Sequence, residues 1–130
     1  MNKRLRADAS LRAVKALPNG ATSTTSDAID VGTSPIDGEV LIKAPALAAA
    51  ALPDTKTLTY EIVGSANADL SSPTVLANVI VQTGAGGVGA VATENRWKMP
   101  SDVPRYIGVK ATNSGAGNCS GSSVTMQVLF

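Results

Sequence analysis

The chain has 130 residues, of which 44 % are hydrophobic but only 3 % aromatic, and its formal net charge is +1. It contains no histidine and a single cysteine, Cys119, which excludes histidine-based catalysis, an intramolecular disulfide and a cysteine-based zinc site. The nearly balanced charge provides no whole-molecule field that would attract nucleic acid or a membrane surface. The length predicts one domain, with a core built mainly from small aliphatic side chains.

Residues 1–26 are predicted to form a basic arm followed by a Ser/Thr-rich linker. A ragged helical stripe runs through residues 5–17, so a helix, an extended segment and a disordered tail all remain open for this arm. We expect residues 27–130 to fold without it. Five of the 11 basic residues lie in the first 15 positions, opposed there only by Asp8, and they are the predicted partner-binding residues: Lys3, Arg4, Arg6, Arg12 and Lys15.

Beyond the arm, the sequence alternates between short β-favouring segments and turn residues. Residues 46–52 could form two turns of helix as a connection between strands. Roughly seven or eight short strands with frequent turns predict an antiparallel β-sandwich or barrel. The clearest predicted strands are 27–31, 39–44, 55–63, 74–82, 105–110 and 124–130.

The alternation within these strands also predicts which side chains are buried. In the strand over 74–82, the face that includes Val79 and Val81 is wholly apolar and is therefore predicted to point inward. The predicted core residues are Ile42, Leu58, Tyr60, Ile62, Val79, Val81, Ile107, Val109, Val124, Met126 and Val128.

Few residues suggest chemistry. Gly84, Gly86 and Gly89 match a dinucleotide-binding spacing, but the segment that follows is short and stops at Pro100, so we predict an inter-strand loop. The acidic residues are scattered, and Cys119 has no neighbouring cation in sequence that would activate it. We therefore expect no enzymatic activity, no cofactor and no metal.

Membrane insertion and export are not predicted either. No apolar run approaches the ~20 residues that span a bilayer, and the N-terminus lacks the apolar region of a signal peptide. We expect synthesis in a reducing cytoplasm, which suits a free cysteine.

Several segments resemble one known protein family, over roughly residues 27–130. They resemble the jelly-roll capsid cement, or head decoration, proteins of tailed double-stranded DNA phages, of the type first seen on a Bordetella phage head. The segments are Ile29-Asp30-Val31-Gly32, Thr57-Leu58-Thr59-Tyr60-Glu61-Ile62, and Met99-Pro100 with Pro104-Arg105-Tyr106-Ile107-Gly108-Val109.

This resemblance implies an all-β, antiparallel jelly-roll sandwich over 27–130 with an extended N-terminal arm. It further implies a structural virion protein that binds the outer surface of a phage head and clamps neighbouring subunits of the major capsid protein. The implied partners are the major capsid protein and neighbouring cement subunits, as a dimer or trimer, with no nucleic acid and no membrane. One alternative remains open, a surface adhesion or carbohydrate-binding module of a virion that would use Trp97 and Tyr60.

Overall fold

The computed structural model describes residues 7–32 and 38–130, and only the backbone of residues 7–10. These residues form nine strands and no helix, so no helix among them could cross a membrane. The strands are β1 Ala7–Ala16, β2 Ser23–Thr25, β3 Ile29–Asp30, β4 Glu39–Ala44, β5 Thr57–Ser65, β6 Thr74–Thr83, β7 Thr93–Lys98, β8 Tyr106–Asn113 and β9 Ser123–Leu129.

Two sheets contain all of these strands. The first sheet has the order β1-β9-β4-β7, and the second has the order β2-β8-β5-β6, with the short β3 also paired to β8. Every pairing is antiparallel. The strands pair in a nested order: β1 with β9, β2 with β8, β4 with β7 and β5 with β6. The chain therefore resembles one long hairpin that is folded over. The pairings β9–β4 and β8–β5 then complete the two sheets. This arrangement is a jelly roll, so the predicted fold class is confirmed.

The N-terminal boundary differs from the predicted one. Residues 7–16, expected in a separate arm, form β1, which pairs with β9 from Arg12↔Gln127 to Ala16↔Ser123. Ala13 and Leu17 are buried in the core, and the Leu17 N–H donates to the Ser122 carbonyl at 2.9 Å. The strand supplies partners for backbone groups of β9, which would otherwise form the edge of the sheet. A register irregularity between Ala7 and Arg12 interrupts the alternation that would have revealed this strand.

The predicted linker is likewise part of the sandwich. Its residues Ser23–Thr25 form β2, and the Thr24 hydroxyl donates to the Ala16 carbonyl at 2.9 Å. The sandwich therefore begins no later than Ala7 rather than at residue 27. Residues 1–6, which include three of the five predicted binding residues, lie outside the described residues.

The core agrees with the sequence at nine of the eleven predicted positions, which are almost completely buried, and Val79 packs partly against this core. Val81 is the exception, because 54 % of its surface is exposed. Two register shifts in the β5–β6 pairing, at Tyr60/Glu61 and Ile62/Val63, change which residues of β6 face inward. The strict alternation assumed from the sequence does not hold across these bulges.

In β6, Ile80 and Gln82 take the inward positions instead. The Tyr60 hydroxyl donates to Gln82 Oε1 at 2.6 Å, and Gln82 Nε2 donates to the carbonyls of Pro45 and Val91 at 2.8 and 3.0 Å. Both ends of the amide are thus satisfied, which removes most of the cost of burying it.

Two connections also differ from expectation. Residues 46–52 are not a two-turn helix, since Leu47 and Ala90 exchange backbone hydrogen bonds of 2.9 Å and only a turn follows, closed by the Leu52 N–H on the Ala48 carbonyl. Residues 93–98, which received no strand assignment from sequence, form β7 at the edge of the first sheet.

Candidate partner-binding surface

The structure describes two of the five predicted binding residues, Arg12 and Lys15, and both lie in β1. Arg12 is exposed, whereas Lys15 is half-buried and shares the inward-facing set of positions with the buried Ala13. Because side chains alternate along a strand, β1 presents Arg12 on the outer face of the first sheet.

The sheet register brings other charged residues to the same face as Arg12. Arg12 pairs with Gln127 of β9, Gln127 pairs with Leu41 of β4, and Leu41 pairs with Arg96 of β7, so these four residues form one row across the sheet. In the neighbouring rows, Lys43 pairs with Glu94 and Glu39 pairs with Lys98. We call the outward side chains of Arg12, Lys43, Arg96 and Lys98 the basic face.

The basic face contains two carboxylates for its four cations. Arg96 Nη1 lies 3.3 Å from Glu39 Oε2, and Glu39 is also the register partner of Lys98. The Arg96 side chain is 56 % exposed. Ion pairs this exposed contribute little to folding and leave the cations accessible to a partner.

Sequence reasoning missed Lys43, Arg96 and Lys98. The signal for the last two was present, because Glu94, Arg96 and Lys98 alternate with Asn95 and Trp97, as expected for a strand with one charged face. The indole of Trp97, on the other side of β7, packs partly against the core. What the sequence does not show is that only β4 and β9 separate Arg96 of β7 from Arg12 of β1.

The two sheets carry different charge. The strands of the first sheet contain five basic and three acidic residues, whereas those of the second contain one basic residue, Lys110, and two acidic residues, Asp30 and Glu61. Glu61 and Lys110 are register partners on the outer face of the second sheet. The remaining outward side chains there are mostly threonine and other uncharged residues, so the second sheet presents a nearly neutral face.

A second charged cluster joins β3 to the start of β8. Arg105 donates from Nε to Asp30 Oδ1 and from Nη2 to Asp30 Oδ2, both at 3.1 Å, and its guanidinium lies 5.2 Å from the centroid of the Tyr106 ring. The Gly32 N–H donates to Asp30 Oδ1 at 2.8 Å. The hydrogen bonds from Arg105 and then Gly32 hold the pKa of Asp30 below its ordinary value. The cluster is exposed, so its main effect is to fix the path of the chain between β3 and β8.

The glycine-rich segment connects β6 to the strand β7, which confirms the predicted inter-strand loop. Gly86 and Gly89 have φ values of +64° and +77°, which residues other than glycine rarely adopt. A Cβ at Gly89 would also collide with the Leu47 carbonyl oxygen. The glycines therefore serve a tight turn packed against residues 47–48.

Tyr60 and Cys119, the other residues considered for chemistry, are both buried in the protein interior. Tyr60 is buried, and burial raises the pKa of its hydroxyl. Cys119 is buried, its thiol donates to the Ala51 carbonyl at 3.4 Å, and burial raises its pKa. Among residues 7–32 and 38–130, no group of three or more Cys, Asp or Glu residues is placed to hold a metal ion.

A polar cavity of about 470 Å³ lies between the end of β2 and residues 68–73. It is lined by two carboxylates, Asp27 and Asp69, together with Thr25 and Ser26. The Ser71 N–H donates to Asp69 Oδ1 at 2.9 Å, and this bond lowers the pKa of Asp69. The carboxylate is thus engaged by its own loop.

No family model matches the sequence, and no curated protein matches it. Among solved structures, the chain is similar to a chain of the Cowpea Mosaic Virus empty virus-like particle, at 7 % identity and a TM-score of 0.49, covering 98 % of this chain and 80 % of that one. It is also similar to the infectious bursal disease virus VP2 subviral particle, at 12 % identity and a TM-score of 0.38. That match covers 97 % of this chain and 31 % of VP2, so the chain spans about a third of VP2. With such low scores, the jelly-roll assignment rests on the strand order and pairing.

Proposed function

We propose that this protein is a capsid decoration protein, a structural virion component that binds the outside of a phage head. In this role it clamps neighbouring subunits of the major capsid protein and stabilises the shell against the pressure of packaged DNA. The role requires no enzymatic activity, cofactor or metal. Its partners would be the major capsid protein and neighbouring copies of this chain, arranged as dimers or trimers.

The observation that carries this proposal is the convergence of the three segments that resemble the cement family. Ile29 pairs with Ile107, and Arg105 binds Asp30 through two hydrogen bonds. The middle segment lies in β5, where Ile62 pairs with Val109 of β8. Apart from Met99-Pro100, which precede β8, the resemblance therefore lies in and beside one continuous part of the second sheet, β3-β8-β5.

A jelly roll alone does not determine function, because the fold also occurs in lectins and cupins. Support for a structural role comes from the way the loops of this sandwich are joined to one another. Its loops at one end are connected by backbone hydrogen bonds such as Leu47–Ala90, Gly20–Gly117 and Cys119–Pro18. Such a body can transmit force between the subunits it contacts, and many copies on one shell would add weak contacts into stable binding.

The alternative of a carbohydrate-binding adhesion module has less support. It would need an exposed aromatic platform, and Trp97 and Tyr60 are the residues that the sequence offers for one. Tyr60 is buried, and Trp97 is half-buried with its ring packed partly against the core.

The proposal is tested by mixing the purified protein with undecorated heads of its virus, followed by sedimentation and heating. We expect the protein to sediment with the heads in saturable amounts and to raise the temperature at which they release DNA. Serum albumin at the same concentration is the control for non-specific trapping. Absence of co-sedimentation at every salt concentration would contradict a decoration role.

A further inference from the structure

The unequal charge of the two sheets identifies one side of the molecule as an interaction surface. We infer that the basic face of the first sheet binds an acidic protein surface. This inference rests on the proposed function in that it names the side of the protein that meets the shell, but the chemistry can be tested without a shell.

The charge balance determines the chemistry of the partner. On the basic face, Arg96 is ion-paired with Glu39. Lys98 and Lys43 have Glu39 and Glu94 as register partners, while Arg12 has the uncharged Gln127. The four cations of the basic face thus exceed its two carboxylates by two. An acidic polypeptide surface supplies the missing carboxylates, and arginine in particular binds them through paired hydrogen bonds.

Nucleic acid is the other common anionic partner, and it is less favoured. Single strands are usually bound by aromatic side chains stacked on bases within a basic groove. The aromatic residue on β7, Trp97, points away from the basic face and packs partly against the core.

The matched pair of variants changes the same net charge on opposite sides of the protein. Arg12→Gln/Lys98→Gln removes two cations from the basic face, and Lys56→Gln/Lys110→Gln removes two from β8 and the loop that leads into β5. Binding is measured to immobilised poly-L-glutamate and to single-stranded DNA over a range of salt concentrations. Thermal melting of each variant, expected to stay close to wild type, confirms that it is folded.

We expect the basic-face variant to bind poly-L-glutamate about 2- to 30-fold more weakly at low salt, since it loses two exposed ion pairs. The control variant should bind within about twofold of wild type, and the difference should shrink as salt rises. Equal effects of both variants, or tighter binding to single-stranded DNA than to poly-L-glutamate, would overturn the inference. If poly-L-glutamate binding follows this pattern but heads are not bound, the basic face stands and the decoration role fails.

Discussion

At the scale of single residues, the core depends on side chains that the two sheets enclose completely. Ile107 has no exposed surface, whereas Val81 is 54 % exposed although its sequence pattern suggested burial. We expect Ile107→Ala to lower the free energy of unfolding by about 2–5 kcal/mol, because it leaves a cavity between the sheets. Val81→Ala should lower it by less than about 1 kcal/mol.

Urea denaturation of both variants measures this difference. A cost for Val81→Ala that matches or exceeds that of Ile107→Ala would mean that β6 presents its other face to the core.

The hydrogen bond between Tyr60 and Gln82 is the second prediction at this scale. Tyr60→Phe should cost about 1–3 kcal/mol near neutral pH, because it leaves the buried Gln82 Oε1 without its donor. Burial raises the pKa of Tyr60 above its ordinary value of 10.0. The folded state then keeps the proton at a pH where the unfolded chain has lost it, so wild-type stability falls as pH rises above about 10.

Unfolding free energies of wild type and Tyr60→Phe, measured from pH 8 to about pH 11, test this linkage. The gap between the two proteins should narrow as pH rises, since the variant has no hydroxyl to titrate at this position. A constant gap would mean that the hydroxyl titrates alike in both states.

At the scale of elements, the sequence predicted most strands but not how they end or pair. Strands with regular alternation, such as β5 and β9, were found because one face of each is buried and the other is polar. The register irregularity of β1 and the bulges of β6 are set by neighbouring strands, so local pattern could not reveal them. β7 was missed because it is short, mostly exposed and carries only one large apolar side chain, Trp97.

The same limits apply to the candidate site. Sequence composition identified the basic N-terminus, because its charge is concentrated in a short stretch. It could not identify the basic face, because Arg12 and Arg96 come to lie in one row only through the register of four strands.

The N-terminal strand gives the sharpest prediction for an element. Deleting residues 1–6 should leave the melting temperature nearly unchanged, since those residues precede the pairing of β1 with β9. Deleting residues 1–16 removes β1, uncovers the edge of β9 and exposes part of the core near Leu17. We expect that deletion to lower the melting temperature by more than about 10 °C, or to prevent folding.

Scanning calorimetry of the two deletion variants measures both melting temperatures and tests whether β1 is part of the folded sandwich. If both melt like the full chain, residues 7–16 are a separate arm, as the sequence first indicated. The shorter deletion should still weaken retention on heads, because it removes Lys3, Arg4 and Arg6.

At the scale of the whole molecule, the protein is a jelly roll with one basic and one nearly neutral face. Such polarity suits a protein that covers a shell, since one side binds while the other faces solvent. The fold and the surface charge are properties of the chain itself, whereas the proposed decoration of a head depends on a partner.

The most direct measurement is a cryo-EM map of undecorated heads of the virus after addition of the purified protein. We predict extra density on the outer surface that fits this jelly roll, bridges neighbouring capsid subunits and directs Arg12, Arg96 and Lys98 toward the shell. A map of saturated heads that shows no added density outside the shell would contradict the account.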